Sequence, residues 1–258
     1  MNIPIFHVDA FADKVFSGNP AAVCPLENWF DDATLQAIAK ENNLSETAFF
    51  VPNRDGFHLR WFTPKQEVEL CGHATLASAW VIVHHIQPGL PEVRFDSLSG
   101  PLKVSVDGDS LTMDFPASPG RQIEAPLALL KGLKKEPLEV YEAMYYMAVF
   151  ETEDEIAALD PDFATLNTLD RELIVTAQGN EVDFVSRFFA PQSGIPEDPV
   201  TGSAHCVLTP YWSKQLGKRR LTARQISERG GNLLCEDRGD RVAITGTAVE
   251  FFSGEIRL

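Results

Sequence analysis

Cys71-Gly72-His73-Ala74-Thr75-Leu76-Ala77-Ser78-Ala79-Trp80 opens with a glycine and runs apolar to a tryptophan. Gly202-Ser203-Ala204-His205-Cys206-Val207-Leu208-Thr209-Pro210-Tyr211-Trp212 has the same form, and its glycine lies 202 − 72 = 130 positions later. The likeness spreads outward from these stretches. Phe62-Thr63-Pro64 returns as Phe189-Ala190-Pro191 at an offset of 127. Gly100, Leu102, Gly108 and Asp109 match Gly231, Leu233, Gly239 and Asp240 at an offset of 131. Three matches near half of 258 residues predict two copies of one mixed α/β unit. A helix apolar nearly all round, as over 74–83, must be wrapped by sheet. Both helices are expected to open at their glycine. Pseudo-twofold symmetry then aims two helix N-termini, with unpaired N–H groups and positive dipole ends, at a cleft between the halves, which makes an anion site.

The first copy reads as a strand over 2–10, a Gly18-Asn19-Pro20 turn and a strand over 21–24. A helix capped by Asp31 or Asp32 follows over 31–41, then strands over 48–51 and 58–62, the apolar helix over 74–85, and strands over 93–96, 102–106 and 111–115. Pro116 to Pro137 is the expected linker, with a short helix over 127–133. The expected domains are 1–116, completed by a C-terminal strand over 253–258, and 117–252.

Lys and Arg total 22 against 37 Asp and Glu, a net charge of −15 that argues against nucleic acid and anionic membrane as partners. The basic cluster Lys214, Lys218, Arg219, Arg220 and Arg224 reads as a solvated helix end and turn. No apolar run approaches the roughly 20 residues of a membrane-spanning helix. The N-terminus reads as a strand, not a signal peptide. Cys24, Cys71, Cys206 and Cys235 form no CxxC pair and are expected to be reduced thiols in a cytoplasm.

Four residues draw attention for chemistry. Glu46, in an extended Leu44-Ser45-Glu46-Thr47-Ala48-Phe49-Phe50, shares a face with Leu44, Ala48 and Phe50. Desolvation there suits a general acid/base. The aligned 173–177 stretch has no acid, so such a base occurs once. His73 opens the first central helix and Ser203 is its counterpart; Asp198 precedes Pro199 just before the second. Singly, each also fits a plain role as cap, strand end or acidic turn. Ser203, His73 and Asp198 hold the types of a hydrolase triad but lack the Gly-x-Ser-x-Gly elbow. Cys71, His73, His205 and Cys206 have poor chelate spacing for zinc. Cys71 has no second thiol for a two-thiol racemase. No nucleotide loop occurs. The expectation is no metal and no cofactor.

Five ordered motifs resemble the PhzF-like (phenazine biosynthesis F) isomerases. They are Phe16-Ser17-Gly18-Asn19-Pro20, Asn43-Leu44-Ser45-Glu46-Thr47-Ala48-Phe49, Arg60-Trp61-Phe62-Thr63-Pro64, Cys71-Gly72-His73-Ala74-Thr75 and Glu197-Asp198-Pro199-Val200-Thr201-Gly202-Ser203. The branch most similar is the MAWD-binding-protein-like one, and 120–185 departs from the family pattern. The resemblance implies an α+β, diaminopimelate-epimerase-like fold of two pseudo-repeated domains, each a curled mixed sheet around a central helix. It implies a cofactor-independent isomerase that moves a proton between carbons of a small carboxylate-bearing metabolite. Glu46 matches the family acid/base, and His73, Asp198 and Ser203 the polar residues beside the substrate. Asn19, Gly72, Thr201 and Gly202 are the expected substrate contacts, the two glycines through backbone N–H groups. A homodimer is expected. A racemase or epimerase, or a protein-interaction module on an inherited isomerase scaffold, stays open.

Overall fold

Ala21-Ala22-Val23-Cys24 and Ala48-Phe49-Phe50 offer apolar side chains to both faces of an extended chain, so both faces must be covered. In the computed structural model, which describes residues 2–258, these segments lie side by side as parallel strands with every one of those residues buried. The chain divides into two compact units, Met1–Asp114 with Thr245–Leu258, and Phe115–Ile244.

The first unit contains β1 (Asn2–Ala10), β2 (Asn19–Pro25), α1 (Asp32–Asn42), β3 (Glu46–Pro52), β4 (Phe57–Phe62), β5 (Glu67–Val68), α2 (Gly72–Val81), β6 (Glu92–Ser97), β7 (Gly100–Asp107) and β8 (Ser110–Pro116). The second contains β9 (Arg121–Ile123), α3 (Leu127–Leu133), β10 (Glu139–Glu142), β11 (Tyr146–Val149), α4 (Glu153–Ala157), α5 (Phe163–Leu166), β12 (Leu173–Gln178), β13 (Phe184–Ala190), β14 (Ile195–Asp198), α6 (His205–Leu216), β15 (Arg220–Gln225), β16 (Gly231–Asp237) and β17 (Arg241–Gly246). The last strand, β18 (Ala248–Arg257), belongs to the first unit and runs antiparallel along β1 from Asn2 to Ala10.

The repeat in the sequence is a repeat in pairing. In the first unit β2 and β3 are parallel, β3 and β4 antiparallel, and β4 takes β5 antiparallel and β6 parallel. In the second, β11 and β12 are parallel, β12 and β13 antiparallel, and β13 takes β14 antiparallel and β15 parallel. Each short antiparallel strand, β5 or β14, leads into the central helix. The α+β fold of two like units, each a mixed sheet around one helix, is the one expected.

Side-chain alternation sorts the core. In the first unit Ala22, Cys24 and Phe49 face α1 and pack with Leu35, Ile38 and Ala39. The neighbouring positions on β2 and β3 face the other way, where α2 packs on β1, β2 and β3. Eight of the ten α2 residues are buried, as an all-round apolar helix requires. In the second unit Val175, Ala177 and Phe189 pack with Leu129, Ile156 and Leu166 of α3, α4 and α5. Thr176, one position on, accepts a hydrogen bond from Trp212 Nε1 of α6 at 2.9 Å. Arg187 fixes the joint beside this core. It forms a bidentate pair with Glu197 at 2.8 and 2.9 Å and donates to the carbonyls of Ile156 and Leu159.

Three details differ from the sequence reading. The first central helix opens at its glycine, Gly72, but is regular only to Val81, after which Ile82–Ile86 form one π turn where α-helix was expected to 85. The stretch expected as linker contains the strand β9 besides the short helix expected over 127–133, which is α3. The second central helix does not open at Gly202. Residues 202–204 form tight turns, with His205 N donating to Gly202 O and Cys206 N to Ser203 O at 3.0 Å each, and α6 begins at His205. Asp198 and Gln225 account for this. Asp198 Oδ2 accepts from Thr201 Oγ1 at 2.5 Å, and Gln225 Oε1 accepts from Thr201 N at 2.9 Å. These bonds hold Thr201 in place, and the chain must turn before it can wind.

Candidate active site

Three elements of the first unit converge on one histidine. β2 begins with Asn19, β3 begins with Glu46, and α2 begins with Gly72 and His73. His73 is 5% exposed. Its Nε2 lies 3.2 Å from Glu46 Oε2, and its Nδ1 lies 3.2 Å from Asn19 Nδ2. Cys71 Sγ sits 3.5 Å from the same Nδ1. With the Asn19 amide donating, Nδ1 accepts and the ring proton sits on Nε2, toward Glu46. Turning the amide to present Oδ1 holds the imidazolium instead.

Burial works against a charged His73, but Cys71 and Glu46, the acidic groups against its two ring nitrogens, together lift its pKa well above the ordinary histidine value. Burial and the Glu46 charge push the Cys71 thiol up to about 11, so at neutral pH it stays protonated. Glu46 therefore faces a histidine whose charged form it favours. The 3.2 Å separation is long for a charge-assisted hydrogen bond, and Glu46 Oε2 is buried without a hydrogen-bond partner. Glu46, His73 and Cys71 are also a possible metal-ligand set, with donor atoms within 4.8 Å of one another.

The N-terminus of α2 completes this cluster. Cys71, its capping residue, makes no side-chain bond to the first turn. The opening N–H groups at Gly72 and His73 thus have no side-chain cap and carry the positive end of the helix dipole.

The second unit holds a separate polar cluster. Asp198, 8% exposed, ends β14 and accepts from Thr201 Oγ1. Gln225 Nε2 donates to the Asp198 carbonyl at 2.8 Å. Ser203 Oγ lies 2.9 Å from Tyr145 Oη. Burial raises the Tyr145 pKa to about 12, with Asp198 among the charges adding to it, so the phenol keeps its proton. Gly202 lies in the turn between Thr201 and Ser203.

The structure thus gathers Asn19, Glu46, Gly72 and His73 in one cluster and Asp198, Thr201, Gly202 and Ser203 in another. Tyr145 and Gln225 escaped the sequence reading because they lie 58 and 24 positions from their partners, Tyr145 in the bend between β10 and β11 and Gln225 at the end of β15, and nothing local marks either. Of the four residues drawn as a zinc set, His205 points elsewhere. Its Nδ1 donates to Thr201 O at 2.9 Å, and its Nε2 is buried without a hydrogen-bond partner.

His205 carries a pH prediction. Burial pushes its pKa down to about 4, while the unfolded chain protonates near 6.5. The neutral form is the folded one, so its contribution is complete above pH 6.5 and is lost as pH falls toward 4. The loss integrates to about 3 kcal/mol. Urea unfolding at pH 7 and pH 4 should show it, and His205→Asn, which keeps a donor for Thr201 O, should remove most of that difference. An equal acid loss in the variant would assign it to other groups.

This is the fold of an isomerase. A family model described as phenazine biosynthesis-like protein (PhzC-PhzF) matches residues 8–254, and the chain belongs to that family. An uncharacterized isomerase of Pseudomonas aeruginosa is 53% identical over 259 residues, covering 100% of both chains. A PhzF-family crystal structure from Enterococcus faecalis superposes with a TM-score of 0.98 at 46% identity, covering 100% of each chain. A hydroxyproline epimerase from Agrobacterium vitis shares the fold alone, with a TM-score of 0.65 at 11% identity over 100% of this chain and 93% of that one. Among the described residues no helix is long and apolar enough to cross a membrane.

Proposed function

We propose that the protein moves a proton between two carbons of a small carboxylate-bearing metabolite, without a cofactor, with Glu46 as general acid/base. The observation that carries the reading is the buried contact of Glu46 Oε2 with His73 Nε2. Glu46 accepts a proton from one carbon and returns it to another. His73 holds the carboxylate in place and takes up or yields a proton as that charge changes. Asn19 fixes the ring through Nδ1. The uncapped N–H groups at Gly72 and His73 suit the substrate carboxylate or charge developing beside it. Such preorganised donors are worth roughly 3–4 kcal/mol each in the transition state. Asp198, Thr201, Gly202 and Ser203 are assigned polar contacts to the substrate. A thiol-based racemase is the weaker reading, since Cys71 keeps its proton at neutral pH.

A screen of small carboxylic acids for thermal stabilisation supplies the substrate, because a ligand bound to the native state alone raises the melting temperature. The mechanism is then tested by deuterium at the donor carbon. If one carboxyl removes and returns the proton, part of the label should appear on the acceptor carbon at early time points by mass spectrometry. Complete washout, full single-turnover activity in Glu46→Gln and loss of activity in Asp198→Asn would together transfer the role to Asp198.

A further inference from the structure

We infer that Tyr145 is a positioning residue: its phenol donates to Ser203 Oγ and turns the serine proton outward, so that Ser203 reads an uncharged oxygen acceptor of the substrate, a carbonyl or a hydroxyl. This deepens the contact assigned to Ser203 under the proposed function and rests on that reading. The two hydroxyl oxygens stand 2.9 Å apart, and among the described residues neither has another hydrogen-bond partner. Two hydroxyls carry two protons, and their one contact uses one of them. A phenol, with an ordinary pKa of about 10, is far the stronger acid, so it is the better donor and the serine oxygen the better acceptor. The serine O–H is then the spare donor. Ser203 is only partly buried, so that proton opens on space that a ligand can reach.

The tyrosine is held at both ends for this task. Arg171 Nη1 donates to Ala143 O at 2.7 Å, and Ala143 N donates to Tyr145 O at 2.9 Å, which fixes the bend that carries Tyr145. The phenol ring meets Phe188 edge to face, with centroids 4.9 Å apart at 84°. Phe188 lies opposite Asp198 in the pairing of β13 with β14, so the ring is seated beside the turn that leads to Ser203. Cys206 N donates to Ser203 O at 3.0 Å and fixes the serine backbone in turn. Charge decides which acceptor suits the spare proton. After burial, the charges of Glu172 and Asp198 are among the causes that raise the Tyr145 pKa, so both acids act on this spot. A carboxylate brought to Ser203 would meet their repulsion, whereas an uncharged oxygen accepts the proton without it.

Neutron diffraction on crystals grown in heavy water tests the donor direction without any ligand, because it locates hydroxyl positions that X-rays leave to inference. The deuterium of Tyr145 should lie on the line to Ser203 Oγ, and that of Ser203 should point away from the phenol. A Ser203 deuterium aimed at Tyr145 Oη would overturn the inference. The choice of acceptor is read by NMR titration with pyruvate and propionate, which differ by one carbonyl oxygen beside the carboxylate. The wild type should bind pyruvate roughly 3- to 10-fold more tightly, the worth of one hydrogen bond. Tyr145→Phe keeps the ring against Phe188 and should cut that preference at least by half, since the serine hydroxyl then rotates freely. Ser203→Ala should abolish the preference, and adding Tyr145→Phe to it should change nothing further. No preference in the wild type, a preference untouched by Tyr145→Phe, or a further change in the double variant would each overturn the inference. The ratio of two acids on one protein cancels a general loss of binding, and the neutron map stands even if a variant does not fold. Failure of Glu46 as the acid/base would instead appear in the turnover of Glu46→Gln, which neither measurement needs.

Discussion

Glu46→Gln should fold and should lose roughly 10²- to 10⁴-fold in kcat, the scale of general acid/base catalysis. The amide matches the carboxylate in shape and still reaches His73 Nε2 across the present 3.2 Å. It can neither accept nor return a proton at neutral pH. Binding should survive, so KM should move little while kcat and kcat/KM fall together, the mark of an interaction made in the transition state. Near-wild-type circular dichroism and melting temperature would show that the loss is chemical. Unchanged turnover in a folded variant would move the acid/base to another group. The loss should exceed that of any single substitution among Asp198, Thr201 and Ser203, which are assigned contacts to the substrate and no part in carrying the proton.

Gly18→Ala is expected to cost roughly 3–5 kcal/mol in stability and to impair the site as well. Gly18 has φ +68°, a left-handed conformation that a side chain resists, and an added Cβ would stand 2.2 Å from the Ala10 carbonyl oxygen and 2.8 Å from Ala12 Cβ. The first obstacle is backbone of β1, held between β2 and β18, and it cannot step aside. The loop is already strained. Phe11 and Phe16 have φ of 58° and 69°, and Asp9 Oδ2 ties it down by accepting from Phe16 N at 3.0 Å. Strain of this kind collects where a fold must aim a functional group. The group aimed here is Asn19, the next residue, on His73 Nδ1. Urea unfolding and turnover of Gly18→Ala should therefore decline together. A variant of wild-type stability would mean that the loop relaxes freely, and Asn19 would then need another explanation for its position.

The repeat was legible because its signals are local. A glycine before an all-round apolar helix, a Phe-x-Pro strand end and a Gly-Asp hairpin each depend on a few adjacent residues, and they recur at nearly one offset. Glu46 stood out for the same reason, as a lone acid among apolar strand positions. The start of α6 was not legible. Gly202 resembles Gly72 in sequence, yet residues 202–204 turn before the helix begins, because Thr201 is bound by Asp198 and by Gln225. Gln225 sits on β15, 24 positions away, and nothing near Gly202 announces it.

Periodicity and the internal match were enough to specify two like units of mixed strand and helix and their central helices, since burial of apolar faces follows from the order of neighbouring side chains, while the α+β, epimerase-like class came from the resemblance of the five motifs. The meeting of residues distant along the chain was decided only in three dimensions. Asn19 touches His73 from 54 positions away, Tyr145 touches Ser203 from 58, and Glu46 joins Cys71 and His73 only because β3 runs beside β2 beneath the start of α2. The physical reason is that proton affinity depends on atoms a few ångströms apart. That separation comes from strand register and helix packing, which no single segment of the sequence carries.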